Sequence, residues 1–311
     1  MKSKLLLSTA LFLLGSTVRA QKPEPAQAVV HYKFSHLSDT TKRDSLYTEN
    51  MLLLIGKNAS TYKSRDRQLR DANLKQQIKA QMATAIAGGG AINLQSTGRN
   101  TGTSTELYQF AAEKKLIRKE RVMASNYLIT EALPVINWKI SSDTASFSGL
   151  HCQKAEAHFK GRDYIAWFCA DLPYRTGPWK LNGLPGLIIE AADTKNEVVF
   201  QFAGMEGAGE IAKKGSDDNL GVNMVKFLGS DDSSQDQSVI ALPADGIVAT
   251  EADLTKLKDA VKKDPNAYMQ SALAASGLSG SVSAIRTTTV RTPNTGSVRP
   301  VNNPIELPEK K

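Results

Sequence analysis

The 311-residue chain is poor in the groups that usually carry chemistry, with four histidines and two cysteines. His31 and His36 stand five apart on one strand signal, as do His151 and His158 at seven, so each pair points to opposite faces of its strand. No helical His pair brackets a glutamate. His158, Glu156 and Cys152 share a predicted face, but a soft-metal site there needs reduced thiols, so no metal is expected. Gly-x-Ser-x-Gly is missing, and Gly277-Leu278-Ser279-Gly280-Ser281 has the wrong spacing for it. Glycines 204, 207 and 209 do not make a dinucleotide loop. The acidic stretches Ser216–Asn219 and Asp231-Asp232 lack the twelve-residue calcium spacing. A thiol nucleophile at Cys169 is conceivable, but a structural cysteine beside Trp167 is the commoner case. No cofactor and no catalytic residue is expected.

Also missing is any apolar run long enough for a permanent membrane helix. The first twenty residues read as a secretory leader instead. Lys2 and Lys4 start it, Leu5 to Leu14 form its apolar stretch, and Val18-Arg19-Ala20 is a small-residue cleavage site. No cysteine follows, so a lipid anchor is not expected. These features predict an exported protein, periplasmic or outer-membrane associated, and not a lipoprotein. The formal charge of +8 includes three leader cations. Much of the remainder lies in the tail, at Arg286, Arg291, Arg299, Lys310 and Lys311. A basic tail on a secreted chain argues against nucleic acid as a partner and leaves contact with an anionic membrane surface open.

Alternating hydrophobicity dominates the rest and predicts a mainly β fold. The expected architecture is a curved antiparallel sheet or half-barrel with a helical insertion and a C-terminal helix. The β domain is assigned to 21–240, with a helical and Gly-rich insertion at about 65–105, and 241–311 to a C-terminal helix and flexible basic tail. In the insertion, Leu69, Leu74, Ile78, Met82 and Ile86 form an apolar stripe read as a docking face, and Gly88-Gly89-Gly90 stops it. Val222–Leu228 reads as a further strand and Asn266–Leu278 as a further short helix. Thr250 and Asp253 form a capping pair before Leu254, Leu257 and Val261. Two hairpins are expected near the middle. One pairs Phe159 with Tyr164 across Gly161-Arg162, which puts Cys152 and Cys169 on one face but diagonal. A bulge or small slip would allow the structural disulfide that an oxidising compartment favours. The other turns at 193–196, with Leu187, Ile189, Ala191, Val198, Phe200 and Phe202 inward and Ile188 opposite.

The stretch everything else is arranged around is Gly177-Pro178-Trp179-Lys180-Leu181-Asn182-Gly183-Leu184-Pro185-Gly186-Leu187-Ile188. Pro185-Gly186 predicts a type II turn, with positive φ at Gly186. The surrounding leucines and isoleucines predict a turn bent against the core. The alternative is an apolar docking loop.

Gly183-Leu184-Pro185-Gly186-Leu187-Ile188 resembles the hexapeptide of the GLPGLI family of Bacteroidetes envelope proteins. The resemblance extends to Ile136-Asn137-Trp138-Lys139-Ile140, Cys152-Gln153-Lys154-Ala155, Gly161 to Trp167, and the closing Asn303-Pro304-Ile305-Glu306-Leu307. It implies no settled chemistry. It implies a cysteine at Cys152 but none at Cys169, and a gene neighbourhood that includes outer-membrane transport receptors. The leading expectation is therefore a non-enzymatic envelope protein that binds a partner such as an outer-membrane receptor. The alternative is a carrier of a lipid or apolar small molecule in the sheet's concave face. A secreted hydrolase is the third reading, and no motif supports it. The partner reading predicts a filled core and an exposed apolar patch, at the Gly183 to Ile188 loop, and the carrier reading a continuous apolar cavity lined by Phe and Leu with few polar groups.

Overall fold

The computed structural model describes residues 22–88, 102–123, 125–207, 238–264, 267 and 301–309. The expected strand at 222–228 and most of the helix expected at 266–278 lie outside them. So do the leader and residues 281–300 of the tail.

Twelve strands form one open sheet made of two antiparallel meanders. The first runs through β2 (Ala28–His36), β3 (Tyr47–Ile55), β4 (Ala59–Ser64), β5 (Glu106–Phe110), β6 (Lys115–Val122) and β7 (Ser125–Ala132). The second runs through β8 (Lys139–Phe147), β9 (Leu150–Phe159), β10 (Arg162–Cys169), β11 (Leu187–Asp193) and β12 (Val198–Gly207). They join where β12 pairs with β2. The short β14 (Ile247–Val248) adds to β7 in parallel, so among the described residues β14 and β8 are the two ends of the strand order and the sheet does not close. A separate two-stranded ladder joins β1 (Glu24–Pro25) to β13 (Val239–Ile240).

Period-2 alternation sorts the side chains into two layers. Val30, Tyr32, Phe34, Met51, Leu53, Tyr62, Leu107 and Phe200 face one side, where they meet Tyr164, Phe168 and Trp179. Val29, Leu52, Leu54, Tyr108, Phe110, Ile117 and Leu128 face the other, covered by Ile240 of β13. Helix α1 (Arg65–Gly88) leaves β4 without a break, and Asp66 accepts hydrogen bonds from the Asn50 backbone and side-chain amides at 2.9 Å. The predicted stripe does not describe its first turns. Leu69 is half exposed while Gln68 and Asp71 are buried, Asp71 between Arg67 and Arg70. The other four stripe side chains lie outside the described residues. Helix α2 (Glu251–Lys263) has the expected Thr250–Asp253 capping box and sets Leu254 against Val122 and Ile129.

Turn chemistry corrects the first predicted hairpin. Lys160 and Gly161 both have positive φ, at 52° and 70°, the signature of a two-residue I′ turn. Phe159 therefore pairs with Arg162, not Tyr164. Extending that register past Phe168–Gln153 brings Cys169 opposite Cys152. The expected bridge is nevertheless not formed, and both cysteines are buried free thiols. In the second hairpin Ile188 is fully buried along with Leu187 and Ile189, against the expected alternation, next to a bulge at Trp167/Phe168 in the β10–β11 pairing.

Candidate functional site

The inward layer does not fill its space. A cavity of about 1230 Å³ lies over it, with lining residues drawn from β2 to β7, β12, the Trp179-Lys180 lobe, residues 248–253 and the C-terminal segment. Seven neighbouring strands laid flat would put the outer two about 29 Å apart. A common cavity therefore requires the sheet to curl. Its apolar wall is Phe34, Met51, Tyr62, Leu107, Trp179, Phe200 and Ile305, and its polar groups include His36, Glu49, Arg118, Glu131, Lys160, Lys180 and Glu306, so it is far more polar than the Phe- and Leu-lined cavity expected of a carrier. Phe200 stacks on Phe34 at 5.2 Å between ring centres and on Trp179 at 6.4 Å, and Tyr62 meets it edge-on at 6.4 Å.

The sequence motif builds one end of this wall. Thr176 and Asn182 pair as an isolated bridge and close a small lobe. Ser60 Oγ lies 3.0 Å from Thr176 Oγ1, and Gln109 Nε2 donates to the Trp179 carbonyl at 2.9 Å. Ser60 and Gln109 are cross-strand partners of the inward face, so the sheet's floor grips the lobe. Trp179, held at φ 55°, lays its indole against Phe159 and Phe200. The motif glycines have different reasons from the one expected. Positive φ falls on Gly183, at 94°, and not on Gly186. A Cβ at Gly186 would lie 2.6 Å from the Cys169 carbonyl carbon and 2.9 Å from Ala170 Cα. At Gly177 a Cβ would meet Ile188 at 2.7 Å. Pro178, Leu184, Leu187 and Ile188 are buried, which leaves Gly183 and Pro185 as the exposed motif residues. An apolar docking loop would need the leucines outside, where they are not.

The C-terminal segment forms the opposite rim, held mainly by polar groups. Arg162, with 2% of its side chain exposed, uses all five guanidinium hydrogens. Nε donates to the Ile305 carbonyl at 2.9 Å, Nη1 to Asp193 at 2.6 Å and Glu197 at 3.3 Å, and Nη2 to Asn303 Oδ1 and the Pro304 carbonyl at 2.7 Å each. Lys180 Nζ bridges Glu131 at 3.0 Å and Glu306 at 2.8 Å, and Arg118 Nε donates to Glu131 at 2.7 Å. Burial pushes the Glu131 and Glu306 carboxyls up, but these cations outweigh it and hold both below their ordinary value.

His36 Nε2 donates to the Asn303 carbonyl at 2.8 Å. Burial lowers its pKa, so between about 6.5 and the folded value the unfolded chain takes a proton that the folded one refuses. Acidification through that window costs stability. His158, exposed and bound to Asp163 and Glu309, is raised and acts in the opposite sense, weakly because solvent screens it. A His36→Gln variant separates the two. The wild type's advantage over it in urea midpoint is expected to shrink from pH 7.5 to 5.5, and a constant advantage would rule the titration out.

The remaining candidates do not converge. His31 lies 3.0 Å from Glu206 on one ring nitrogen and 3.3 Å from Arg65 on the other, and His158 bridges two carboxylates. Burial first, and the neighbouring Cys169 sulfur second, push the Cys152 thiol up to about 12, which suppresses the thiolate a nucleophile needs. Glu49, on the cavity's inner face, is not among the site residues that the sequence motifs mark. Its signal is a carboxylate in phase with Tyr47, Met51 and Leu53 on one strand.

The fold and site thus define an open, mainly antiparallel β protein with a half-open, aromatic-walled cavity on the concave face of its sheet. Residues 57–190 match a family model described as "Protein of unknown function (Porph_ging)". Solved structures of PNGF-II in the C2 and P21 space groups are similar at TM-scores of 0.42 and 0.43 and 10% identity. Each covers 74% of this chain, which spans only 32% and 33% of theirs, and so distant a likeness carries no argument about function. No curated protein matches the chain.

Proposed function

We propose that this chain is a non-enzymatic binding protein of the bacterial envelope that carries an amphipathic small molecule or lipid in the concave face of its sheet. The observation that supports this reading is the cavity of about 1230 Å³ beneath Trp179 and the C-terminal segment. It exceeds the roughly 300–1,000 Å³ of ordinary small-molecule sites. Aromatic rings and Met51 would take the apolar body, and the ion-paired rim would meet the polar end. The leader-like first twenty residues and the resemblance of Gly183–Ile188 to the GLPGLI hexapeptide favour an exported, envelope-associated protein. That resemblance also favours an accessory role beside an outer-membrane transport receptor as a second reading.

Native mass spectrometry of the protein purified gently from its own envelope tests both. A bound small mass released by denaturation is the expected result. A co-purifying receptor would favour the accessory role. A bare protein whose cavity also fails to bring up the fluorescence of N-phenyl-1-naphthylamine would sink the carrier reading.

A further inference from the structure

Resting on that reading, we infer that the cavity selects an amphipathic organic cation: an apolar body carrying a protonated amine, seated on Glu49 among the aromatic rings. The argument is one of charge complementarity. Each cation lining the cavity already has a carboxylate. Lys180 holds Glu131 and Glu306, Lys160 lies 3.1 Å from Glu306, and Arg118 pairs with Glu131, Glu120 and Glu251. A fatty acid or alkyl sulfate would have to displace one of these partners to gain its own.

Glu49 is the reverse case. It is only 3% exposed, stands directly across from Phe34 on the inward face, and among the described residues no cation lies within 4.0 Å of it. Its two oxygens accept one hydrogen bond each, from the Tyr47 hydroxyl and the Thr103 backbone amide, both at 2.6 Å. An ionised carboxylate has about four acceptor sites, so roughly half remain free. A buried carboxylate without a counter-charge is costly, which makes a cationic guest the favourable one. The rings around it act the same way, because aromatic faces attract a cation. Phe34 contacts both Phe200 and Tyr47, at 5.2 and 6.2 Å between ring centres.

A second orphaned group lines the same wall. Tyr62 is 6% exposed, and among the described residues its hydroxyl has no hydrogen-bond partner. That hydroxyl is itself enclosed, so what a guest ammonium meets beside Glu49 is the Tyr62 ring. Neither an alcohol nor a sulfate satisfies the carboxylate as well.

The test is calorimetric titration of the purified protein at pH 7 with decylamine, 1-decanol and decyl sulfate, all below micellar concentrations. Decylammonium is expected to bind about tenfold or more tightly than the alcohol, the scale of one charge-assisted contact, with the sulfate weakest. Glu49→Gln should bring the amine down to the alcohol and leave the alcohol within about twofold. Tyr62→Phe keeps the ring and removes an enclosed hydroxyl, so it should fold well and leave the amine within about twofold. Equal binding of all three probes, or a preference that survives Glu49→Gln, would overturn the charge assignment and leave the cavity reading standing. Binding by none would overturn both.

Discussion

Replacing Arg162 by methionine is expected to cost the fold about 3–5 kcal/mol, the usual result of removing one partner from a buried ionic cluster. Against the roughly 5–15 kcal/mol that holds a domain together, that is a large share of the total. Methionine fills similar volume but leaves Asp193 and Glu197 facing each other's charge, and strands the Ile305 and Pro304 carbonyls and Asn303 Oδ1. Asp193 keeps the backbone amides of Glu197 and Val198, so the β11–β12 turn should outlast the C-terminal clasp. The expected signature is a lower urea midpoint together with new protease cleavage between residues 301 and 309 of the still-folded protein. Arg162→Lys should recover little, because a point charge cannot reach five acceptors in a planar fork. If lysine restores the midpoint, the cluster works by charge alone and the geometric argument fails.

Gly186→Ala is the second large effect, expected at about 3 kcal/mol because the obstacle is backbone, which cannot rotate away as a side chain can. The β-carbon has nowhere to go between Cys169 and Ala170. Gly183→Ala should cost less, about 1 kcal/mol, since its β-carbon meets open space and only the positive φ opposes it. The order of the two midpoints is the measurement. A larger loss at Gly183 would mean that backbone conformation, not close approach, explains the motif. Gly186→Ala should also weaken naphthylamine binding, because the displaced lobe carries Trp179.

The sequence makes local matters legible, and tertiary ones much less so. Thr250 and Asp253 announce α2, since a capping box is contained within four residues. Alternation places the β9–β12 hairpins, but register depends on which two residues turn, and Lys160 in a left-handed conformation carries no strong signal in its identity. Pro304 to Leu307, with three apolar positions, reads as an apolar pin for the tail, whereas the clasp is mostly polar and depends on an arginine some 140 positions away. Glu49 is the clearest case. Its phase on β3 follows from the sequence, but a carboxylate at that phase could equally face water on a flat sheet. Only the curl that brings β7, the Trp179 lobe and the C-terminal segment over the same face makes it a buried carboxyl group lining a cavity.

The strand order has a consequence for how the chain comes to be built. The first long strand, β2, lies at the middle of the sheet, and its second edge pairs with residues 198–207. A chain emerging amino-end first can assemble β2 to β7 as a meander of neighbours, but Val29 to Phe34 then offer an unpaired apolar margin until most of the sequence has followed. Such an edge invites wrong pairing with another copy. Late closure also makes assembly slow, since the longest loop must be drawn in before its contacts repay it. The vulnerable interval therefore ends with the arrival of β12, and the clasp through Arg162 can form only after that.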